Sequence, residues 1–220
     1  MEMIKIKDFS AGYFKNTPII GGVSMDVQQG TIAGIKGKNG SGKSTLVKGI
    51  LGLTPYKSGT VLMNNVNIID WDCYKIGFSG FVGYLPQRNR IFTNLTTIDN
   101  LNLSLHYSES KYKNEKFKFV LSSNFFSNLK EYLNHSASVL SGGQSLILAL
   151  SCLIIYDPLI FILDEPSDGL DNKKIQDFIS ILKILREENK TIVLVEQNQE
   201  LLSNLSNIIY DVRGITKYNL

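Results

Sequence analysis

Three short apolar runs along the chain predict the buried strands of a parallel sheet. They are TIAGIKG (31–37), LIFILDE (159–165) and TIVLVEQ (191–197), each rich in Ile, Val or Leu and each ending in a turn or a polar residue. Helical patterns follow, as in KSTLVKGILGL (43–53) and KKIQDFISILKILREE (173–188). Strand-then-helix alternation predicts an α/β fold with a mainly parallel sheet that helices cover on both faces.

Alternation of apolar and polar residues near the N-terminus predicts a second, antiparallel sheet. MIKIKDF (3–9) and VSMDVQQG (23–30) both follow a period of two. The stretch GTVLMNNVNI (59–68) predicts a hairpin that turns at Asn64 and Asn65, although Asn-Asn is a weaker turn signal than Asn-Gly.

The middle of the chain, roughly 93–140, changes character and lacks a buried-strand run. It is rich in Asn, Ser, Lys and Phe, and NEKFKFVLSSNFFSNLKEYL (114–133) fits one or two amphipathic helices. We interpret 93–140 as an inserted helical lobe of a single domain (1–220) whose core is formed by 1–92 and 141–220. The alternative is that 93–140 forms no separate lobe and only extends over the surface of the same domain.

Composition changes this picture little. At 220 residues the chain is long enough for one sizeable domain, and its net charge of +3 is too small to argue for nucleic acid by itself. Cys73 and Cys152 lie far apart and are interpreted as two reduced thiols of a cytosolic protein. The most apolar run, 146–156, is far shorter than the ~20 residues of a membrane helix. We therefore expect no membrane span and, from the strand-like N-terminus, no signal peptide.

GKNGSGKS (37–44) fits the phosphate-binding pattern G-x-x-x-x-G-K-[ST] in the required context, after a strand and before a helix. Its glycines let the backbone turn tightly around an anion, and the helix N-terminus adds the positive end of its dipole. Lys43 can reach the β- and γ-phosphates, Ser44 can ligate Mg²⁺, and Thr45 lies near the α-phosphate. A chance glycine-rich turn is disfavoured by this context. The residues expected to bind the nucleotide here are Gly37, Lys38, Asn39, Gly40, Ser41, Gly42, Lys43, Ser44 and Thr45.

LIFILDEP (159–166) is a second, independent signal, because it places two carboxylates where a parallel strand ends and ligands bind. Asp164 would hold Mg²⁺, mostly through water, and Glu165 would act as a general base toward the attacking water. The alternative is helix capping by either acid. Two adjacent acids at a buried strand end are costly without a cation, which favours the metal reading.

LSGGQ (140–144) is the third signal and predicts a second anion site. Ser141 can cap a helix, and Gly142 and Gly143 expose the amide groups of its first turn. A simple capped helix would account for the serine but not for two glycines followed by Gln144.

In their order along the chain (37–44, 140–144 and 159–166), the three motifs resemble those of the ATP-binding cassette (ABC) family, and the resemblance covers essentially the whole chain. It implies a P-loop NTPase core with a mainly parallel sheet, an antiparallel N-terminal β subdomain and an inserted α-helical subdomain, with ATP and Mg²⁺ as cofactors. It also implies that Tyr13 (in SAGYFKN) stacks on adenine, that Gln87 (in GYLPQRNRIF) senses Mg²⁺ and contacts the membrane partner, and that Asp171 (in SDGLD) belongs to the D-loop. Taken alone, Tyr13 would be a packing residue and Gln87 a loop amide.

The resemblance further implies that two cassettes pair head to tail, each ATP lying between the 37–44 loop of one and the 140–144 signature of the other. The expected partners are a second ABC ATPase subunit, the same chain or a sister, and transmembrane permease subunits on separate chains, with no nucleic acid. The expected place is the cytoplasmic face of the cell membrane. The alternative function is a non-transport ABC ATPase acting on nucleic acid or ribosomes, but those relatives usually have coiled coils or tandem cassettes. A P-loop kinase would leave LSGGQ unexplained.

Two positions depart from the family pattern. The segment 145–156 after the signature carries no charge, and VEQN (195–198) places Gln197 where a histidine commonly contacts the γ-phosphate. Some transporters of branched-chain amino acids also have VEQN, and this chain shares AGY, RIFTNLT and EPSDGL with them while keeping Asp171 and Gln87. Glutamine can donate a hydrogen bond but carries no positive charge, so we predict slow ATP hydrolysis. The alternative is that Gln197 merely ends a strand.

Overall fold

The computed structural model describes residues 1–15, 17–88, 90–168 and 170–212, together with the backbone of 217–219. The strands in this part are β1 (Glu2–Gly12), β2 (Ile20–Gln28), β3 (Ile32–Lys36), β4 (Tyr56–Met63), β5 (Val66–Asn67), β6 (Val82–Leu85), β7 (Ile160–Asp164), β8 (Thr191–Glu196), β9 (Ile208–Asp211) and β10 (Lys217–Asn219). The α-helices are α1 (Lys43–Ile50), α2 (Cys73–Phe78), α3 (Thr97–Tyr107), α4 (Lys113–Ser122), α5 (Gly142–Tyr156), α6 (Asn172–Glu187) and α7 (Gln199–Leu205).

The central sheet contains the three strands that the apolar runs predict. Its order is β10-β9-β3-β8-β7-β6; β9, β3, β8, β7 and β6 run parallel, and β10 pairs antiparallel with β9. The pattern did not reveal β6, whose sequence VGYL contains a glycine. A Cβ on Gly83 would lie 2.7 Å from Cγ of Pro158, so close packing requires the residue that weakens the strand signal.

The antiparallel sheet predicted near the N-terminus is also present, in the order β2-β1-β4-β5. The hairpin between β4 and β5 turns at Asn64 and Asn65, whose φ angles are 49° and 62°. Two consecutive left-handed residues are what a tight hairpin turn requires, and asparagine tolerates them better than most residues. The Asn-Asn hairpin is therefore confirmed.

Alternate residues of the parallel strands enter two different hydrophobic cores. Ile160 and Ile162 pack with the antiparallel sheet and α1, whereas Phe161 and Leu163 pack with α5, α6 and α7. Because successive side chains of a strand point to opposite faces, a strand covered on both sides must be apolar throughout. This is why the strands appear in the sequence as continuous apolar runs.

The segment 93–140 contains α3, α4 and two short 3₁₀ helices, at Ser127–Tyr132 and Ala137–Val139. The helical pattern over 114–133 is only partly α-helical, since α4 ends at Ser122. It ends there because the hydroxyl of Ser123 donates to the carbonyl of Val120 at 2.8 Å and accepts from the amide of Phe126 at 3.3 Å. The helices α3 and α4 share the hydrophobic core of α5. None of the helices in the described ranges is long and apolar enough to cross a membrane.

Candidate functional site

A cavity of about 780 Å³ opens at the edge of the parallel sheet where β3, β6, β7 and β8 end. Parallel strands bring their carboxyl ends to one edge, so loops that are distant in sequence meet there. The residues lining the cavity are Ile19, Asn39, Gly40, Ser41, Gly42, Lys43, Ser44, Thr45, Gln87, Glu165, Ser167, Asp168, Glu196, Gln197 and Asn198.

The loop between β3 and α1 forms one wall of the cavity with a backbone that only glycine adopts easily. Gly40 and Gly42 have φ angles of 74° and 96°, and a Cβ on Gly42 would lie 2.4 Å from Cγ2 of Ile20. Gly42 is the N-cap of α1, so the helix begins at the cavity. The amides of a first helical turn lack partners within the helix, and this wall is therefore suited to an anion.

Lys43 is the buried cation of the site, with only 4% of its side chain exposed. Its Nζ donates to the carbonyls of Gly37 at 2.8 Å and Lys38 at 3.3 Å, and it forms an ion pair with Oε1 of Glu165 at 3.2 Å. The first two bonds fold the loop around the ammonium group. The third connects the loop after β3 to the end of β7.

The carboxylate of Glu165 is the point at which four segments of the chain meet. Gln87 and Gln197 each donate an amide hydrogen to Oε2 of Glu165, both at 2.9 Å, while Oε1 faces Lys43. The backbone of Glu165 is left-handed, with φ of 46°, and its amide donates to the carbonyl of Val195 at 2.9 Å. A non-glycine residue in this conformation is held there by its surroundings.

Asp164, the last residue of β7, is buried and faces hydroxyl groups. Its two carboxylate oxygens each lie 3.5 Å from a hydroxyl, one from Ser44 and one from Tyr84. Burial raises the pKa of Asp164, the Ser44 hydroxyl lowers it, and the neighbouring Glu165 raises it further. A cation placed between Asp164 and Ser44 would offset the cost of this buried charge.

These two oxygen ligands fit Mg²⁺, which usually binds through one or two protein groups while water and phosphate complete its shell. The described part of the chain has no group of three or more His, Cys, Asp and Glu side chains able to hold a metal alone. A magnesium ion held by Asp164 and Ser44 would complete its shell with water and phosphate oxygens.

Seven residues at the site were not assigned to it from the sequence: Ile19, Ser167, Asp168, Glu196 and Asn198 line the cavity, and Tyr84 and Arg90 lie beside it. Glu196 lines the cavity and is 3% exposed, and burial raises the pKa of its carboxyl. Arg90, three residues after Gln87, is partly buried and donates from its guanidinium to the carbonyls of Pro86 at 2.9 Å and Glu165 at 3.4 Å. Tyr84 faces Asp164. A glutamate at the end of a fully buried strand was the one available signal.

The other predicted residues lie outside the cavity lining. Ser141 caps α5 and forms a capping box with Gln144. The backbone amide of Gln144 donates to the Ser141 hydroxyl at 3.3 Å, and the backbone amide of Ser141 donates to Oε1 of Gln144 at 2.9 Å. Asp171 caps α6 and accepts from the amide of Lys174 at 2.9 Å. Tyr13 follows β1 and is 42% exposed.

The two glycines of the signature differ in their surroundings. A Cβ on Gly142 would meet nothing within 4 Å, whereas one on Gly143 would lie 3.1 Å from Nζ of Lys174. A lysine of α6 therefore lies over the start of α5. Lys174 also forms an ion pair with Asp171 at 3.3 Å.

Comparison with known proteins gives the same family from several directions. A family model described as ABC transporter matches residues 20–168. The probable branched-chain amino acid transport ATP-binding protein LivF of Archaeoglobus fulgidus is 32% identical over 212 residues, covering 94% of this chain and 87% of the relative. The high-affinity branched-chain amino acid transport ATP-binding protein BraG of Pseudomonas aeruginosa is 30% identical over 198 residues, covering 90% and 84%.

Solved structures share the fold. A nucleotide-free ATP-binding cassette from an ABC transporter superposes with a TM-score of 0.81 at 23% identity, covering 100% of this chain and 92% of that one. A dimeric ATP-binding cassette in a post-hydrolysis state, bound to ADP and phosphate, superposes with a TM-score of 0.82 at 24% identity, covering 99% of both chains. The P-loop NTPase fold predicted from the motifs is confirmed.

Proposed function

This chain belongs to the ABC transporter family, and we propose that it is the subunit that binds and hydrolyses ATP to drive a transporter whose membrane-spanning part is a separate chain. The observation that carries the proposal is the convergence of Lys43, Gln87 and Gln197 on the carboxylate of Glu165 within the cavity. Each of these residues comes from a different segment of the chain, and together they surround the place where a terminal phosphate would fit.

The loop 37–44 and Thr45 would bind the phosphate chain of ATP through backbone amides, and Lys43 would neutralise the β- and γ-phosphates. Ser44 and Asp164 would hold Mg²⁺, with Gln87 as a further ligand, and the bound ion would neutralise charge on the phosphates. The distance of 3.5 Å between the Ser44 hydroxyl and Asp164 supports this pairing. Tyr13 would stack on adenine at the exposed rim, which suits a ring that is 42% exposed.

Glu165 would act as the general base once ATP has entered. The carboxylate of Glu165 pairs with Lys43 in the structure, and the γ-phosphate would take its place there. Glu165 would then accept a proton from the water that attacks the γ-phosphorus, as the bond from that phosphorus to the β–γ bridging oxygen breaks and ADP leaves. Gln197 would donate one hydrogen bond toward the γ-phosphate, a weaker contact than a charged histidine makes.

The signature would act on a nucleotide held by a second cassette, either the same chain or a sister. Ser141, Gly142, Gly143 and Gln144 lie outside the cavity of their own chain, so they need a nucleotide that is presented from elsewhere. Asp171 caps a helix that begins close to the signature. The dimeric relative bound to ADP and phosphate supports such pairing.

A membrane subunit would dock beside the helical subdomain, which we place at 93–140 between core segments 1–92 and 141–220. The membrane subunit would contact this protein on the cytoplasmic side of the membrane, at the surface near Gln87, Arg88, Arg90 and Phe92. A second cavity, an aromatic groove of about 840 Å³, lies at the opposite edge of the parallel sheet, where β6, β7 and β8 begin. Among the residues lining the groove are Phe81, Tyr112, Phe119 and Tyr156.

The test is release of phosphate from ATP by the purified protein, compared with Lys43→Ala and with Lys183→Ala as a matched control on the exposed side of α6. We expect the first variant to lose ATP binding and hydrolysis and the control to keep both. Equal activity in Lys43→Ala and the parent would refute the proposed site. Co-purification with a membrane protein supports the transport role, whereas binding of DNA or co-sedimentation with ribosomes would favour the alternative function.

A further inference from the structure

Glu196 is a buried carboxylate for which the proposed hydrolysis has no use. Only 3% of the residue is exposed, and it lines the same cavity as Glu165. Within the described part of the chain no lysine or arginine forms an ion pair with it. The Arg90 guanidinium attracts its charge without forming an ion pair with it. Burying a charge that no cation pairs directly is costly, so the two hydrogen bonds that Glu196 accepts require an explanation.

Both bonds come from backbone amides at the end of the β7–β8 pairing. The amide of Ser167 donates to Oε1 of Glu196 at 2.8 Å, and the amide of Gln197 donates to Oε2 at 3.2 Å. The strand pairing proper ends with the amide of Glu165, which donates to the carbonyl of Val195. Beyond that point the side chain of Glu196 takes the place of a backbone carbonyl and keeps the two diverging segments together.

The contacts form a closed ring around the catalytic centre. Glu165 is joined through the chain to Ser167, Ser167 bonds to Glu196, Glu196 is followed by Gln197, and the Gln197 side chain returns to Oε2 of Glu165 at 2.9 Å. Pro166 has no amide hydrogen, so Ser167 offers the first backbone donor after Glu165. The carboxylate of Glu196 therefore holds both the loop that follows Glu165 and the backbone of Gln197.

We propose that Glu196 is a positioning residue for ATP hydrolysis, which holds Glu165 and Gln197 in register by accepting the amides of Ser167 and Gln197. The inference rests on the proposed ATPase function. Glu196 touches no reacting group in this account; it acts through its two neighbours. Its carboxylate also connects Gln197 to the loop that leads to Asp168, another residue lining the cavity.

The test compares Glu196→Leu, which removes both acceptors at similar volume, with Glu196→Gln, which keeps one acceptor oxygen for Ser167. Glu187→Leu, on the exposed end of α6, is the matched control. A misplacement of about 1 Å in a positioned group costs about 10²-fold in rate. We expect Glu196→Leu to lower kcat by about 10- to 100-fold with KM for ATP within about twofold of the parent, and Glu196→Gln to recover most of the loss.

Two further measurements make the inference refutable. In a Gln197→Ala background the Glu196→Leu loss should shrink, because residues that act through each other are not additive. An undiminished loss, or a Glu196→Leu variant as fast as the parent, would overturn the positioning role.

The second measurement does not depend on activity. Hydrogen exchange of the Ser167 amide, followed by NMR in the nucleotide-free protein, should be at least about 10-fold faster in Glu196→Leu than in the parent and the control, because the amide loses its acceptor. Unchanged exchange would overturn the inference even if the chain hydrolyses ATP. If the parent releases no phosphate, the proposed ATPase function fails, and the amide exchange still decides whether Glu196 holds the loop.

Discussion

The ion pair between Lys43 and Glu165 makes a specific prediction for nucleotide affinity. If Lys43 binds the phosphates of ATP as proposed, Glu165 has to leave it first, so ATP binding breaks this contact. The substitution Glu165→Gln keeps the shape and an acceptor oxygen but removes the charge. We therefore expect Glu165→Gln to bind ATP more tightly than the parent while hydrolysing it more slowly.

The structure gives a rough magnitude. The pair is 3.2 Å long, and the two side chains are 4% and 11% exposed, so solvent screens them little. A hydrogen bond involving a charged group contributes about 1.5–3 kcal/mol net, and a neutral acceptor retains about half of it. The free state of the variant thus loses about 0.75–1.5 kcal/mol, which corresponds to about a 4- to 13-fold gain in ATP affinity. Removing the repulsion between Glu165 and the phosphates acts in the same direction.

The assay is a titration with a fluorescent ATP analogue in Mg²⁺, repeated with the matching ADP analogue. Glu187→Gln, on the exposed end of α6, is the charge-matched control. If Glu165 lies where the γ-phosphate binds, the gain should be larger for ATP than for ADP, and the control should show neither. Equal gains for both nucleotides, or weaker ATP binding in the variant, would refute the reasoning. Loss of the base should also lower the hydrolysis rate by about 10²–10⁴-fold.

Four other variants, at three positions, test separate parts of the site. Gln197→Ala should lower kcat by at most about 10²–10³-fold, since one donor toward the phosphate is lost, and Gln197→His should raise kcat. If Gln197→Ala is as fast as the parent, Gln197 has no role in the mechanism. Ser141→Ala should lower the free energy of unfolding by about 1 kcal/mol in a denaturant titration, because the α5 cap is lost. Asp164→Asn should abolish hydrolysis but raise the melting temperature without Mg²⁺, because burial raises the pKa of Asp164 and so disfavours its charged form. A lowered melting temperature would contradict this expectation.

The sequence predicted those features of the fold that depend on local pattern. The three apolar runs became β3, β7 and β8 within one or two residues at each end, because a strand buried on both faces cannot carry polar residues in its middle. The Asn64–Asn65 hairpin followed from the tolerance of asparagine for left-handed backbone. By contrast, β6 was not predicted, since Gly83 is dictated by the approach of Pro158, a residue far along the chain.

The site was predictable in its motifs but not in its connections. Spacing identified the loop before α1 and the acids after β7, yet nothing local indicates that Gln87 and Gln197 donate to the same oxygen of Glu165. The inward turn of Arg90 is a similar case, because its acceptors are carbonyls that only the fold brings near. Such contacts depend on loop conformations at a shared sheet edge, which hydrophobic periodicity does not encode.

The uncharged segment after the signature also has a physical account once the fold is known. Most of α5 is buried, with Leu148, Leu150 and Ile155 fully inaccessible, because α3 and α4 pack on one side and the parallel sheet on the other. A helix surrounded in this way is apolar on all faces, so a charge there would have no partner. The cation near the signature comes instead from Lys174 of α6, which lies over Gly143. Because α5 begins at the signature and ends at Tyr156, which lines the aromatic groove, this one buried helix connects the two surfaces.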